Sequence, residues 1–132
     1  TTDGLVVPVL KNADHLSIFA IAKHLETLAD KARERSLSLE EMQGGSFTIT
    51  NIGSIGGTFF TPIINYPECA ILGTGRIREE PVVWEGKVMI RKRMPLCLTF
   101  DHRILDGARA ARFMNDVIAH LENPSKMLMD AD

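Results

Sequence analysis

Between Ser17 and Arg35, apolar side chains recur at steps of three and four: Ile18, Ile21, Ala22, Leu25, Leu28, Ala29 and Ala32. Lys23, Glu26, Asp30, Lys31 and Glu34 fall on the other faces. This period predicts an amphipathic helix over about 17–35 with Ser17 as its N-cap. Such a stripe must be buried against another layer, and short apolar runs elsewhere in the chain have the length of strands. Leu5-Val6-Val7-Pro8-Val9-Leu10 is β-prone, with Pro8 favouring an edge or a break. Ser46-Phe47-Thr48-Ile49-Thr50 alternates, with Phe47 and Ile49 on one face and Thr48 and Thr50 on the other. Cys69 to Leu72 reads as a buried strand, Val82-Val83-Trp84 and Lys87 to Arg91 as a hairpin about Glu85-Gly86, and Leu96 to Phe100 as a further strand. A last helix starts near Asp106, is expected to bury Ala110, Phe113, Met114, Val117, Ile118 and Leu121, and stops at Asn123-Pro124. Between the first helix and the first alternating strand, Ser38-Leu39-Glu40-Glu41 fits a capping box that Gly44-Gly45 ends. The order βα–ββ–ββ–α defines a mixed α/β layer, a sheet with helices packed on it. It resembles part of a sandwich whose other half lies elsewhere.

Composition narrows the function. Fifteen Lys plus Arg against seventeen Asp plus Glu leave a formal charge of −2, which gives no electrostatic footprint for nucleic acid or an anionic membrane. No apolar run approaches a transmembrane span. The N-terminus has neither the basic start nor the apolar stretch of a signal peptide. The two cysteines, Cys69 and Cys97, build no disulfide framework and no zinc motif, so a reducing compartment and no metal are expected. No repeat or linker marks a domain boundary.

Of the four histidines, His15, His24 and His120 sit in a polar turn, on a solvated helix face and near a helix end. His102 differs, because it stands where the apolar strand Leu96-Cys97-Leu98-Thr99-Phe100 gives way to Asp101-His102-Arg103-Ile104-Leu105-Asp106-Gly107 and then a helix. Strand ends in layered α/β folds present functional groups on a rigid frame. Asp106 can be the N-cap of the following helix, and as a cap it also fixes the segment that aims His102. Thr50, taken alone, is an ordinary β-favoured residue.

The segment from Asp101 to Gly107 resembles the His-x-x-x-Asp-Gly signature of the 2-oxoacid dehydrogenase acyltransferases in its fuller Asp-His-Arg-x-x-Asp-Gly form. Gly44-Gly45-Ser46-Phe47-Thr48-Ile49-Thr50-Asn51 is similar to that family's Gly-Gly-x-Phe-Thr-Ile-Ser/Thr-Asn tract. Thr61-Pro62-Ile63-Ile64-Asn65-Tyr66-Pro67-Glu68, Ala70-Ile71-Leu72-Gly73, the opening Leu5–Leu10 run and the tail from Leu121 to Leu128 match in the same order. Chloramphenicol acetyltransferases share the hexad and the fold but match less well around Thr50 and Pro62. The resemblance implies that residues 1–132 are the carboxyl-terminal part of the catalytic domain. The rest of that domain, the lipoyl domain and the subunit-binding domain would then lie outside the chain, and residues 1–132 alone would self-associate without transferring acyl groups.

The implied reaction passes an acyl group, acetyl or branched-chain, between dihydrolipoamide and coenzyme A. His102 is the implied general base and Thr50 the implied oxyanion donor. Asp106 would hold the His102 loop through a basic partner, for which Arg103 is the nearest candidate in sequence. Proton transfer from a thiol to an imidazole is uphill by roughly 2.7 kcal/mol, which a base within hydrogen-bond reach can overcome. Gly53, Ser54, Gly56 and Gly57 would line the coenzyme A channel. The lipoyl group would arrive on a separate domain. The resemblance further implies trimers, with His102 of one chain facing Thr50 of its neighbour, assembled into a larger core. A 2-oxoacid decarboxylase and dihydrolipoamide dehydrogenase would be partners through other domains, in the cytoplasm or, in a eukaryote, the mitochondrial matrix. The alternatives are a non-catalytic core-forming relative and another coenzyme A-dependent acyltransferase of the same fold.

Overall fold

The computed structural model describes residues 4–129, which fall into two compact units, one up to Ser46 and one from Phe47. No linker composition marks this division in the sequence. In the first unit, helix α1 spans Ile18–Glu34. The Ser17 side chain accepts from the Ala20 N–H, and Arg35 at φ 60° ends the helix in the left-handed region. The Ser38–Glu41 capping box forms reciprocally, the Ser38 N–H donating to Glu41 Oε2 at 2.9 Å and the Glu41 N–H to Ser38 Oγ at 3.3 Å. It caps only a single 3-10 turn, Glu40–Met42. Lys31 Nζ donates to Glu41 Oε1 at 2.6 Å and ties that turn to α1. The run from Leu5 to Leu10 forms no strand. Pro8 lacks an N–H, and the run is fastened instead by a bond from the Val9 N–H to the Glu41 carbonyl at 2.7 Å.

The second unit holds strands β1 (Thr48–Asn51), β2 (Ala70–Thr74), β3 (Arg78–Trp84), β4 (Lys87–Arg93) and β5 (Leu96–Phe100), with helices α2 (Gly107–Glu122) and α3 (Pro124–Met129). β1, β2 and β5 form a mixed sheet with β2 central, parallel to β1 and antiparallel to β5. β3 and β4 form a separate antiparallel hairpin. Its turn residues Glu85 (φ 49°) and Gly86 (φ 75°) both take the left-handed conformation, as the tight two-residue hairpin turn requires.

The core of this unit is small: Ala70, Ile71 and Leu72 of β2 and Ala110 of α2 are buried. Phe113 and Leu121 are 42% and 47% exposed, which corrects the expectation that the whole α2 stripe is covered. In β1 the buried position is Thr48, while Ile49 is exposed. Thr48 can be buried because its hydroxyl donates to the Glu68 carboxylate, satisfying a group that would otherwise be costly away from water. Phe47 meets Phe113 of α2 edge to face, with ring centroids 5.7 Å apart.

Candidate functional site

Register places Thr50 in a row with Gly73 and Cys97 across the sheet. Thr50 is half-buried near the carboxyl end of β1. Gly73 leaves its side of the row open, and the Phe60 ring fills that space, since a Cβ on Gly73 would stand 2.4 Å from the ring.

Beyond β1 the chain enters the glycine-rich turn. Asn51 Oδ1 accepts from the Gly53 N–H at 2.8 Å, and the Ile55 and Gly56 N–H groups both donate to the Ile52 carbonyl. Glycine is required at 57, where φ is +111° and a Cβ would lie 2.8 Å from Ile52 Cδ1. At 53 a Cβ would lie 3.0 Å from the Gly75 carbonyl oxygen.

His102 sits in the turn that follows β5, and its ring is exposed. Three features make that turn rigid. The Asp101 N–H donates to the Cys69 carbonyl at 2.8 Å, fastening the turn to the chain entering β2. The Asp101 carbonyl accepts from both the Ile104 and Leu105 N–H groups. The Asp101 carboxylate accepts from the Arg103 backbone N–H at 2.9 Å and grips the Arg103 guanidinium through Nε and Nη2. Those bonds, the guanidinium's first and the backbone's second, hold the Asp101 carboxyl down at about 2. The His102 ring lies against Phe100, centroids 5.7 Å apart.

Asp106 is the N-cap of α2, its Oδ1 accepting from the Arg109 N–H at 2.7 Å. Arg103 is engaged by Asp101, not Asp106, because the two-residue Asp-x-Arg spacing closes a local ring that also captures a backbone N–H. The one sequence signal for this grip is the place of Asp101 two residues before an arginine.

Thr50 and His102 are not brought together within one chain. β5 runs antiparallel to β2, so its carboxyl end pairs with Ala70, at the opposite end of β2 from Gly73 and Thr74. Phe100 is three rows from Cys97, roughly 10 Å along the strand, and β1 and β5 lie roughly 10 Å apart across β2. The cysteines are unpaired and half-buried. His15, beside Asp14, and His24 are exposed, and His120 Nδ1 meets the Asp116 carbonyl within α2. Among the described residues, no cluster of His, Cys, Asp and Glu is placed to hold a metal ion, and no helix is long and apolar enough to cross a membrane.

A mixed sheet with helix α2 against it, a histidine turn off one strand and a hydroxyl before a glycine-rich turn off another is the frame of a class of acyltransferases. Residues 1–129 match the family of 2-oxoacid dehydrogenases acyltransferase (catalytic domain), and the chain belongs to that family. It is 50% identical over 131 residues to the dihydrolipoyllysine-residue acetyltransferase component of the pyruvate dehydrogenase complex of Bacillus subtilis, covering 99% of this chain and 30% of that protein. The corresponding component of Staphylococcus epidermidis is 49% identical over 130 residues, covering 98% and 30%. The solved dihydrolipoamide acetyltransferase of Azotobacter vinelandii superposes with a TM-score of 0.91 at 46% identity, covering 96% of this chain and 52% of that one. A truncated catalytic core of the 2-oxoacid dehydrogenase multienzyme complex from Thermoplasma acidophilum gives 0.81 at 48% identity, covering 94% and 54%. The chain therefore spans 30% of the length of these curated relatives and about half that of the solved chains.

Proposed function

We propose that this chain carries the acetyl-transfer chemistry of a dihydrolipoamide acetyltransferase, with each active site built from two copies. His102 takes the proton from the attacking thiol, of coenzyme A or of dihydrolipoamide. The thiolate adds to the thioester carbonyl, forming one C–S bond, and the Thr50 hydroxyl donates to the resulting oxyanion. Collapse breaks the other C–S bond, and the departing thiolate recovers the proton from the imidazolium. No covalent acyl-enzyme is needed, and neither Cys69 nor Cys97 takes part.

One observation carries this reading. A serine, a histidine and an asparagine were investigated for their role in the catalytic mechanism of the Azotobacter vinelandii enzyme, and they stand 52 and four positions apart. Thr50, His102 and Asp106 stand 52 and four positions apart as well. The acetyl group follows from the acetyltransferase names of the relatives. The opposite ends of the sheet that Thr50 and His102 occupy support sharing between copies. A trimer with His102 of one copy facing Thr50 of the next satisfies that geometry. A related solved core is described as the cubic core of the pyruvate dehydrogenase multienzyme complex.

Gly53, Ser54, Gly56 and Gly57 line the channel that coenzyme A enters, and the lipoyl arm of a separate domain enters opposite. The chain is the carboxyl-terminal part of the catalytic domain, and it works in the cytoplasm beside a 2-oxoacid decarboxylase and dihydrolipoamide dehydrogenase. Leu5, Phe19 and Phe59 at 91%, 89% and 93% exposure support the placement within a larger domain, since apolar groups on this scale call for covering polypeptide.

The test is acetyl exchange between acetyl-coenzyme A and dihydrolipoamide by the assembled core. His102→Ala should lower turnover about 10²–10⁴-fold with little change in substrate binding. Near-normal turnover in that variant would exclude His102 as the base.

A further inference from the structure

Arg76 follows β2 and is exposed, yet its guanidinium is committed. Nε donates to the Gly53 carbonyl at 3.0 Å and Nη2 to the Ser54 carbonyl at 3.2 Å. Both acceptors are backbone groups of the turn that leaves Thr50. The same turn is tied at its ends to the strand from which Arg76 comes: the Ile52 N–H donates to the Thr74 carbonyl at 3.1 Å, and the Arg76 N–H to the Gly57 carbonyl at 3.4 Å. The turn also wraps closely round the side chain. A Cβ on Gly53 would lie 3.3 Å from Arg76 Cα, and one on Gly56 would lie 3.9 Å from Arg76 Nη2.

We propose that Arg76 is the positioning residue of the 53–57 turn: its planar fork spans two consecutive carbonyls and holds the turn clear of the thiol that approaches Thr50. The inference rests on the acetyl-transfer reading for its effect on substrate, but not for the latch itself. Glycines at 53, 56 and 57 leave this segment little rigidity of its own, so its shape depends on the bonds from Arg76 as well as on its local turn bonds. Arginine suits the task and lysine does not, because a single ammonium cannot present two coplanar donors at fixed spacing. Thr50 is held in the β1–β2 ladder, to which Arg76 does not belong. Losing the fork therefore harms substrate capture more than the chemical step.

The experiment uses the assembled core with Arg76→Ala and Arg76→Lys, read by amide hydrogen exchange and by steady-state kinetics with acetyl-coenzyme A and dihydrolipoamide. Exchange at the Ile55 and Gly56 amides should rise about tenfold or more in both variants, the β2 amides staying as in the wild type. KM for the thiol substrates should rise about tenfold while kcat stays within about threefold. Millimolar guanidinium ion should lower the Arg76→Ala KM towards the wild-type value, and sodium at equal ionic strength should not. Unchanged exchange in Arg76→Lys, raised exchange with unchanged KM, or sodium acting as well as guanidinium would each overturn the proposal. A wild-type core that transfers no acetyl group would instead overturn the acetyl-transfer reading, and the exchange comparison would still decide whether the latch exists.

Discussion

Thr50 offers one hydroxyl near the end of a strand, and Thr50→Val removes that donor while keeping shape and β-propensity. Acetyl turnover in the assembled core should then fall roughly 10²–10³-fold, about 3–4 kcal/mol, while Thr50→Ser should be largely tolerated. Equal rates for the valine and threonine forms would return Thr50 to a purely structural role. Asp101 makes a prediction of a different kind. Its folded value is depressed to about 2 by Arg103, against an ordinary aspartate near about 3.9. A depressed carboxyl stabilises the turn at all pH values above the unfolded value. That contribution falls away as pH drops from about 4 through about 2. NMR titration should place the Asp101 carboxyl midpoint near pH 2 in the wild type, and Arg103→Ala should move it up towards about 3.9. Identical midpoints would show that the Asp101–Arg103 grip is absent in solution.

Helix α2 begins at the residue that closes the His102 turn, so a capping change at Asp106 is felt in both. Asp106→Ala should cost about 1 kcal/mol in urea unfolding of the assembled core, and Asp106→Asn only a few tenths, because asparagine caps about as well as aspartate. A loss equal in the two variants would mean that capping is not the role of Asp106. Elements with strong local chemistry were legible from sequence alone. Ser17 and the three-four period located α1, Glu85-Gly86 located the hairpin, and Leu96–Phe100 matched β5 residue for residue. What tertiary partners decide was not legible. Thr48 is buried and Ile49 exposed because a carboxylate twenty residues away satisfies the threonine. The run Leu5–Leu10 stays irregular although its residues favour strand. At the candidate site, His102, Asp106 and Thr50 stood out through their motif. Arg76 carries no such signal, because a side chain that bonds carbonyls more than twenty positions away leaves no local pattern.

At the scale of the whole molecule, the sheet that carries both groups also keeps them apart, and the proposed site is one completed between copies. Such an arrangement is a heterologous contact that closes into a ring when the rotation is right. It further implies that damage to His102 in one copy and to Thr50 in another need not fall on the same site. The decisive measurement is therefore complementation. Cores of His102→Ala chains and of Thr50→Val chains are prepared separately, dissociated, mixed in equal amounts, reassembled and assayed for acetyl exchange. If sites are shared, each pure variant core stays nearly inactive, while the mixed core regains about a quarter of wild-type activity, the fraction of interfaces that pair an intact His102 with an intact Thr50. A mixed core no more active than the average of the two pure variants would contradict a site shared between copies.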